Sequence, residues 1–140
     1  MHSEHVRNLH PGWVVGGWLL AVAVSAAVFM VLVGAGLVQD ARWGAALVLL
    51  AVALGFFAGG LFVGLRWSDA PILHGAAITF LSVLVWFLGS LLAPGTLGGT
   101  EAEGPAFVLG LVLLQLTASV SGGWLGRTLV RRGETPNLEG

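Results

Sequence analysis

Residues 43–65 read WGAALVLLAVALGFFAGGLFVGL and contain no Asp, Glu, Lys or Arg. A transmembrane helix needs about 20 consecutive apolar residues to cross a hydrocarbon core about 30 Å thick. This stretch is therefore long enough for one membrane crossing and too short for two. Three other stretches of similar length also lack charged residues. The pattern predicts four transmembrane helices, at 13–38, 43–65, 71–93 and 105–125.

The composition of the whole chain agrees with a membrane protein. Of its 140 residues, 56% are hydrophobic and 9% are charged, whereas a soluble domain carries about 25% charged residues. Water-soluble enzymes, nucleic-acid-binding domains and disordered chains are therefore excluded, and the absence of cysteine excludes disulfides and thiol chemistry. We predict an all-α integral membrane four-helix bundle, with an N-terminal tail at 1–12 and a C-terminal tail at 126–140.

Arginine is distributed unevenly between the two predicted membrane faces. The N-terminal tail, the link between helices 2 and 3 and the C-terminal tail hold five of the six arginines. Because arginine-rich segments stay in the cytoplasm, both termini are predicted to be cytoplasmic. Helices 1–2 and 3–4 then form two hairpins of the same orientation. We expect a multi-pass protein of a bacterial cytoplasmic membrane.

Tryptophan marks most of the predicted helix ends. Five of the six tryptophans lie within about two turns of an end, where an amphipathic ring sits between hydrocarbon and water. Trp86 is the exception, because it lies inside the third predicted helix. We expect its indole N–H to point at another helix rather than at lipid.

Small residues recur at four-residue spacing in the predicted helices. The chain contains 22 glycines, about twice the average usage. Lipid provides no hydrophobic force between helices, so transmembrane helices associate through close packing at small residues. The predicted packing residues are Gly17, Ala21, Ser25, Gly55, Gly59, Gly60, Gly64, Gly75, Ala118, Gly122 and Gly126.

The second and fourth predicted helices end in similar sequences. Residues 58–66 read AGGLFVGLR and residues 121–127 read SGGWLGR. The similarity indicates either a parallel internal repeat or convergence of two glycine-rich helix ends. Gly60 and Gly64 face a different side of helix 2 from the other small residues. We expect that side to bind a partner helix.

The predicted helices contain almost no residues that carry chemistry. None has a central Asp, Glu, Lys or Arg, the residues with which transporters bind protons and ions. We therefore predict no enzymatic activity and no metal site. Polar side chains such as Gln115 are expected to form hydrogen bonds between helices, and the alternative is that they line a path through an oligomer.

His74 is the most distinctive single residue. It lies one turn inside the third predicted helix. An imidazole there is a candidate ligand for a haem or chlorophyll, for which Gly75 and Ala76 would leave room, and His10 is a candidate second ligand. The alternative, which we favour, is an interfacial histidine that hydrogen-bonds a loop carbonyl or pairs with Asp69. No bound cofactor is then expected.

The stretch 59–75, GGLFVGLRWSDAPILHG, resembles the YrzE-like family of small, uncharacterised bacterial membrane proteins with four helices. The matching positions are Gly59, Gly60, Gly64, Arg66, His74 and Gly75. The resemblance implies the four-helix topology and a bacterial membrane, and it brings no known activity.

The sequence is compatible with three functions. A structural or accessory subunit of a larger photosynthetic, respiratory or transport complex fits the short links, the small-residue seams and the missing central charges. A small oligomeric channel or transporter is the second function, although helix 2 has no polar side chain between Trp43 and Leu65. A haem- or chlorophyll-binding subunit that uses His74 is the third. The expected partners are the lipid bilayer and other membrane subunits, and nucleic acid is not among them.

Overall fold

The computed structural model describes residues 10–39, 43–66, 70–92 and 105–133. They form α1 (Pro11–Gly34), α2 (Gly44–Arg66), α3 (Pro71–Leu92) and α4 (Pro105–Gly133), with a short 3-10 helix after α1. Proline begins three of these helices, where its missing N–H removes no intrahelical hydrogen bond. All four helices are long and apolar enough to cross a membrane. The described residues contain no strand, and the predicted all-α four-helix bundle is confirmed.

Two helix ends differ from the predicted spans. α1 ends at Gly34 rather than at residue 38, because Gly36 has a φ of 72° and turns the chain out of the helix. The 3-10 helix Leu37–Gln39 follows. α4 continues to Gly133, eight residues beyond the predicted end at 125. The arginines that mark a membrane surface are good helix formers, so they do not end the helix.

The helices alternate in direction, and α2 and α4 form the centre of the bundle. α2 has its most extensive contacts with α4, α1 packs mainly on α2, and α3 packs mainly on α4. Gly60 and Gly64 of α2 meet Ser119 and Gly123 of α4 in the same order, so these two helices run parallel. The start of α1 and the end of α4 therefore lie at the same end of the bundle.

Buried residues are confined to one half of the bundle. In the described part of the chain, no residue of α1 beyond Ala21, of α3 beyond Thr79 or of α4 before Ser119 is buried. The buried residues of α2 run from Ala51 to Gly64. We call the half that contains the start of α1 and the end of α4 the closed half, and the other the open half. The apolar core of the closed half consists of Val14, Ala21, Phe56, Val63 and Ile78.

The last two turns of α3 show the open half most clearly. Residues 84–88 are all exposed, and so are Leu91 and Leu92. Successive residues of a helix point about 100° apart, so five exposed residues in a row show that no side of this part of the helix is buried. Trp86 is 48% exposed. The prediction that its indole faces another helix is therefore wrong for the described helices of this chain.

Candidate functional site

α2 and α4 approach each other through glycine. Four glycines, two on each helix, face a backbone carbonyl of the other helix. The pairs are Gly60 with Ser119, Gly64 with Gly123, Gly122 with Phe57 and Gly126 with Leu61. Each oxygen lies where a side chain would begin and thus faces the glycine Cα–H, the geometry of a weak hydrogen bond. The expectation that Gly60 and Gly64 bind a partner helix is wrong, because α4 of the same chain covers them.

These four contacts obey an approximate two-fold symmetry. Gly60 faces the carbonyl of Ser119, which lies three residues before Gly122 in α4. In the same way, Gly122 faces the carbonyl of Phe57, which lies three residues before Gly60 in α2. The same relation holds for Gly64 and Gly126. The similar sequences suggested that the two Gly-Gly pairs match directly. In the structure the match is shifted by one residue. Gly60, the second glycine of the pair in α2, corresponds to Gly122, the first glycine of the pair in α4.

The second glycine face of α2 packs against α1. A Cβ atom at Gly59 would meet the carbonyl oxygen of Gly17, and one at Gly55 would meet the carbonyl of Ala21 and the side chain of Ser25. Ser25 Oγ is buried there without a hydrogen-bond partner among the described residues. α2 is therefore held by glycine on two faces, one against each of the helices that it contacts most.

α3 joins α4 through Gly75 and two buried hydroxyl groups. A Cβ atom at Gly75 would lie 2.9 Å from the Cα atom of Val120. The Ser119 hydroxyl donates to the Gly75 carbonyl at 2.9 Å, and it lies 3.1 Å from the Thr79 hydroxyl. Ala118 is half-buried and packs against the core of the closed half. These two hydroxyl groups tie α3 to α4, as expected, whereas those of Ser90, Thr117 and Ser121 donate to carbonyls of their own helices.

His74 connects the starts of α1 and α3. It is only 1% exposed. Its Nδ1–H donates to the carbonyl of Ala70 at 2.8 Å, so Nε2 accepts the backbone N–H of His10 at 3.4 Å. The His10 carbonyl in turn accepts the N–H groups of Trp13 and Val14 in the first turn of α1. The imidazole thus holds the first turn of one helix against the first turn of another.

A haem or chlorophyll does not fit at His74. Nδ1 carries the proton that is donated to the Ala70 carbonyl, and the lone pair of Nε2 faces the backbone N–H of His10 instead of an open space. The space beside Gly75, which was expected to hold a macrocycle, is filled by the backbone of α4. His10 reaches His74 through its backbone N–H rather than as a second ligand. The arrangement matches the alternative of a histidine bonded to a loop carbonyl, whereas Asp69 lies outside the described residues.

Within the described ranges, no three His, Cys, Asp or Glu side chains lie close enough together to share a metal ion. The N-terminal histidines, His2 and His5, lie outside the described residues.

Sequence reasoning missed a surface feature at the end of α4. The sequence predicts that Arg127, Arg131 and Arg132 serve topology first and contact anionic lipid only weakly. In the structure these arginines line a pocket together with Trp124 and Thr128. The signal was present in the sequence, because residues at positions i, i+3, i+4 and i+7 of a helix share one face. An apolar groove adjoins this pocket.

Comparisons with protein-family models, with curated proteins and with solved structures find no match to this chain. The resemblance to the YrzE-like family stays a prediction that rests on the residues quoted for it.

Proposed function

We propose that this chain is a non-catalytic membrane subunit that occupies an interface in a larger membrane assembly. The observation that carries the proposal is the contrast between the two halves of the bundle. The closed half is packed through glycine and backbone, whereas no side of the end of α3 is buried in the open half. Helices of a partner protein would complete the packing of the open half.

Trp86 supports a protein partner rather than lipid alone. Its indole N–H has no hydrogen-bond acceptor among the described residues, and about half of the side chain is exposed. Buried tryptophan usually finds a hydrogen-bond partner for this group. A carbonyl or hydroxyl group of a partner helix would satisfy the N–H of Trp86.

The absence of central ionisable residues favours a role without turnover. The four spans carry no Asp, Glu, Lys or Arg between the charged residues that bound them. Ion and proton pathways through membranes depend on such groups. The most buried hydroxyl groups, those of Thr79 and Ser119, hold helices together and are not available to a solute.

We further propose that both termini lie in the cytoplasm of a bacterium, since five of the six arginines lie on the side of the termini. Alkaline phosphatase fused after Gln39 is expected to be active, because the enzyme folds only outside the cytoplasm. The same enzyme fused after Arg66 is expected to be inactive. The reverse pattern would overturn the proposed orientation.

The proposed interface is testable by photo-crosslinking in native membranes. A photoreactive phenylalanine analogue at Phe87, in the open half, is expected to give a discrete protein adduct. The matched control is the same analogue at Leu19, in the closed half, which is expected to react with lipid only. The two positions have nearly equal exposure, 53% and 55%. A difference in crosslinking therefore reports where the residue lies and not how accessible it is.

The mass of the adduct distinguishes the competing functions. An adduct with a second, different protein, identified by mass spectrometry and comigrating with the chain on a native gel, supports the accessory-subunit proposal. An adduct of twice the chain mass would favour an oligomeric channel instead. If Phe87 and Leu19 gave the same lipid adducts, the proposed interface would be absent.

A further inference from the structure

A groove and a pocket adjoin on the face that α3 and α4 form in the closed half. The groove has a volume of about 660 Å³ and lies between Ile72 and Ala76 of α3 and Leu116 and Val120 of α4. The pocket has a volume of about 420 Å³ and lies at the end of α4. Trp124 lines both, so they form one continuous surface feature.

The groove is apolar although two hydroxyl groups border it. Thr117 donates its hydroxyl to the carbonyl of Leu113 at 2.9 Å, and Ser121 donates to the carbonyl of Thr117. Because both hydroxyl groups donate hydrogen bonds within α4, they need no polar partner from a molecule in the groove. The groove is therefore suited to a hydrocarbon chain.

The pocket has the opposite character. Arg127, Arg131 and Arg132 line it within six residues of one another. Nε of Arg127 is buried and has no hydrogen-bond partner among the described residues. A guanidinium group binds the oxygens of a phosphate through two parallel hydrogen bonds. The pocket is therefore suited to an anionic phosphate group.

The spacing between the two regions matches a lipid molecule. Leu116 and Arg127 are eleven residues apart, which corresponds to about 17 Å along a helix. One leaflet of the hydrocarbon core is about 15 Å thick, half of the 30 Å core. Trp124 lies between the groove and the arginines, and tryptophan prefers the boundary between hydrocarbon and headgroups.

We propose that this surface is a binding site for one anionic phospholipid. The phosphate group lies on Arg127 and Arg131, and one acyl chain lies in the groove between α3 and α4. The site is independent of the proposed assembly, because it lies in the closed half. It requires only that the helices cross a membrane.

The site is testable by native mass spectrometry of the purified full chain in a neutral detergent. Phosphatidylglycerol is expected to bind at least tenfold more tightly than phosphatidylcholine. The double variant Arg127→Gln/Arg131→Gln is expected to lower the affinity for phosphatidylglycerol about 25-fold, since each arginine near a membrane surface contributes roughly a fivefold preference for anionic lipid. The affinity for phosphatidylcholine should stay the same.

Two further variants separate this site from general charge effects and from misfolding. Arg66→Gln removes an arginine at the same end of the bundle but outside the pocket, and it is expected to change the affinity less than twofold. Ala76→Phe fills the groove while leaving the arginines in place, and it is expected to weaken phosphatidylglycerol binding about tenfold by displacing the acyl chain.

Several results would overturn the proposal. Equal binding of the two lipids would do so, as would equal losses from Arg66→Gln and from the double variant. Inorganic phosphate that competes as well as the lipid would show a free-phosphate site instead, because the groove would then contribute nothing. If Ala76→Phe bound phosphatidylglycerol with unchanged affinity, the acyl chain would not lie in the groove, and the proposal would be wrong.

Discussion

Replacing Gly60 by leucine is expected to loosen the contact between α2 and α4 and to lower the unfolding temperature of the protein in mild detergent. The backbone of Ser119 occupies the space into which the new side chain would extend, and a backbone cannot rotate away as a side chain can. Overpacking of a tight core costs about 1–3 kcal/mol or more, from a total stability of about 5–15 kcal/mol. Thermal unfolding followed by circular dichroism measures the loss.

The control for this prediction is Gly110→Leu, because Gly110 lies in α4 and nothing lies within 4 Å of its side-chain position. The approximate two-fold symmetry adds a second test. Gly122→Leu should cost about as much as Gly60→Leu, and the double variant should cost less than the sum, since both changes disrupt one interface. If Gly60→Leu melted at the same temperature as Gly110→Leu, the described contact between α2 and α4 would be wrong.

Replacing His74 by alanine is expected to release the start of α1 from the start of α3. The change removes a fully buried side chain and leaves the N–H of His10 without its acceptor. Together the cavity and the lost hydrogen bonds should cost about 2 kcal/mol. The cost falls mainly on the first turn of α1, because His74 is hydrogen-bonded to His10 just before that turn.

The release of α1 can be measured because the chain has no cysteine. In a Val14→Cys background, where the reporter is buried, His74→Ala should raise the rate of maleimide labelling at least tenfold. The control variant is Ile72→Ala, since Ile72 is exposed on the same helix and should leave the rate unchanged. An unchanged rate in the His74 variant would mean that the hydrogen bond to His10 does not hold α1.

The helices themselves were predictable because charge and proline mark their limits physically. Uncharged stretches must match the thickness of a bilayer, so charged residues predict four spans. Their ends were predicted less well, since a charge shows where lipid ends and not where the helix ends. α1 stops early at the left-handed Gly36, and α4 continues through three arginines to Gly133.

The pairing of the helices could not be predicted from the sequence. The pattern of small residues identifies faces that can pack closely, but α2 has two such faces and α4 has another. Nothing in the sequence says which face meets which helix. For that reason Gly60 and Gly64 were assigned to a partner, whereas they contact α4. The one-residue shift between the two Gly-Gly pairs could not be predicted either, because it depends on how α2 and α4 contact each other in three dimensions.

The features that depend on several helices at once were also missed. Trp86 was expected to face a helix because of its position in the sequence, but in the structure about half of its surface is exposed. For His74 the sequence left two alternatives open, and the geometry of its two nitrogens distinguishes them. The groove beside Trp124 arises from the packing of α3 on α4, so it has no signature in either helix alone.

At the four glycines, pairing of α2 with α4 immobilises no side chain. Four leucines in the place of the four glycines would lose about 2–4 kcal/mol of rotamer freedom on association. Hydrogen bonds between transmembrane helices contribute only about 0.6 kcal/mol each, so an entropic difference of that size decides whether two helices stay together. The free energy of association of α2 with α4 therefore changes little as the temperature rises. We expect the central pair to be the last contact in the bundle to separate on heating.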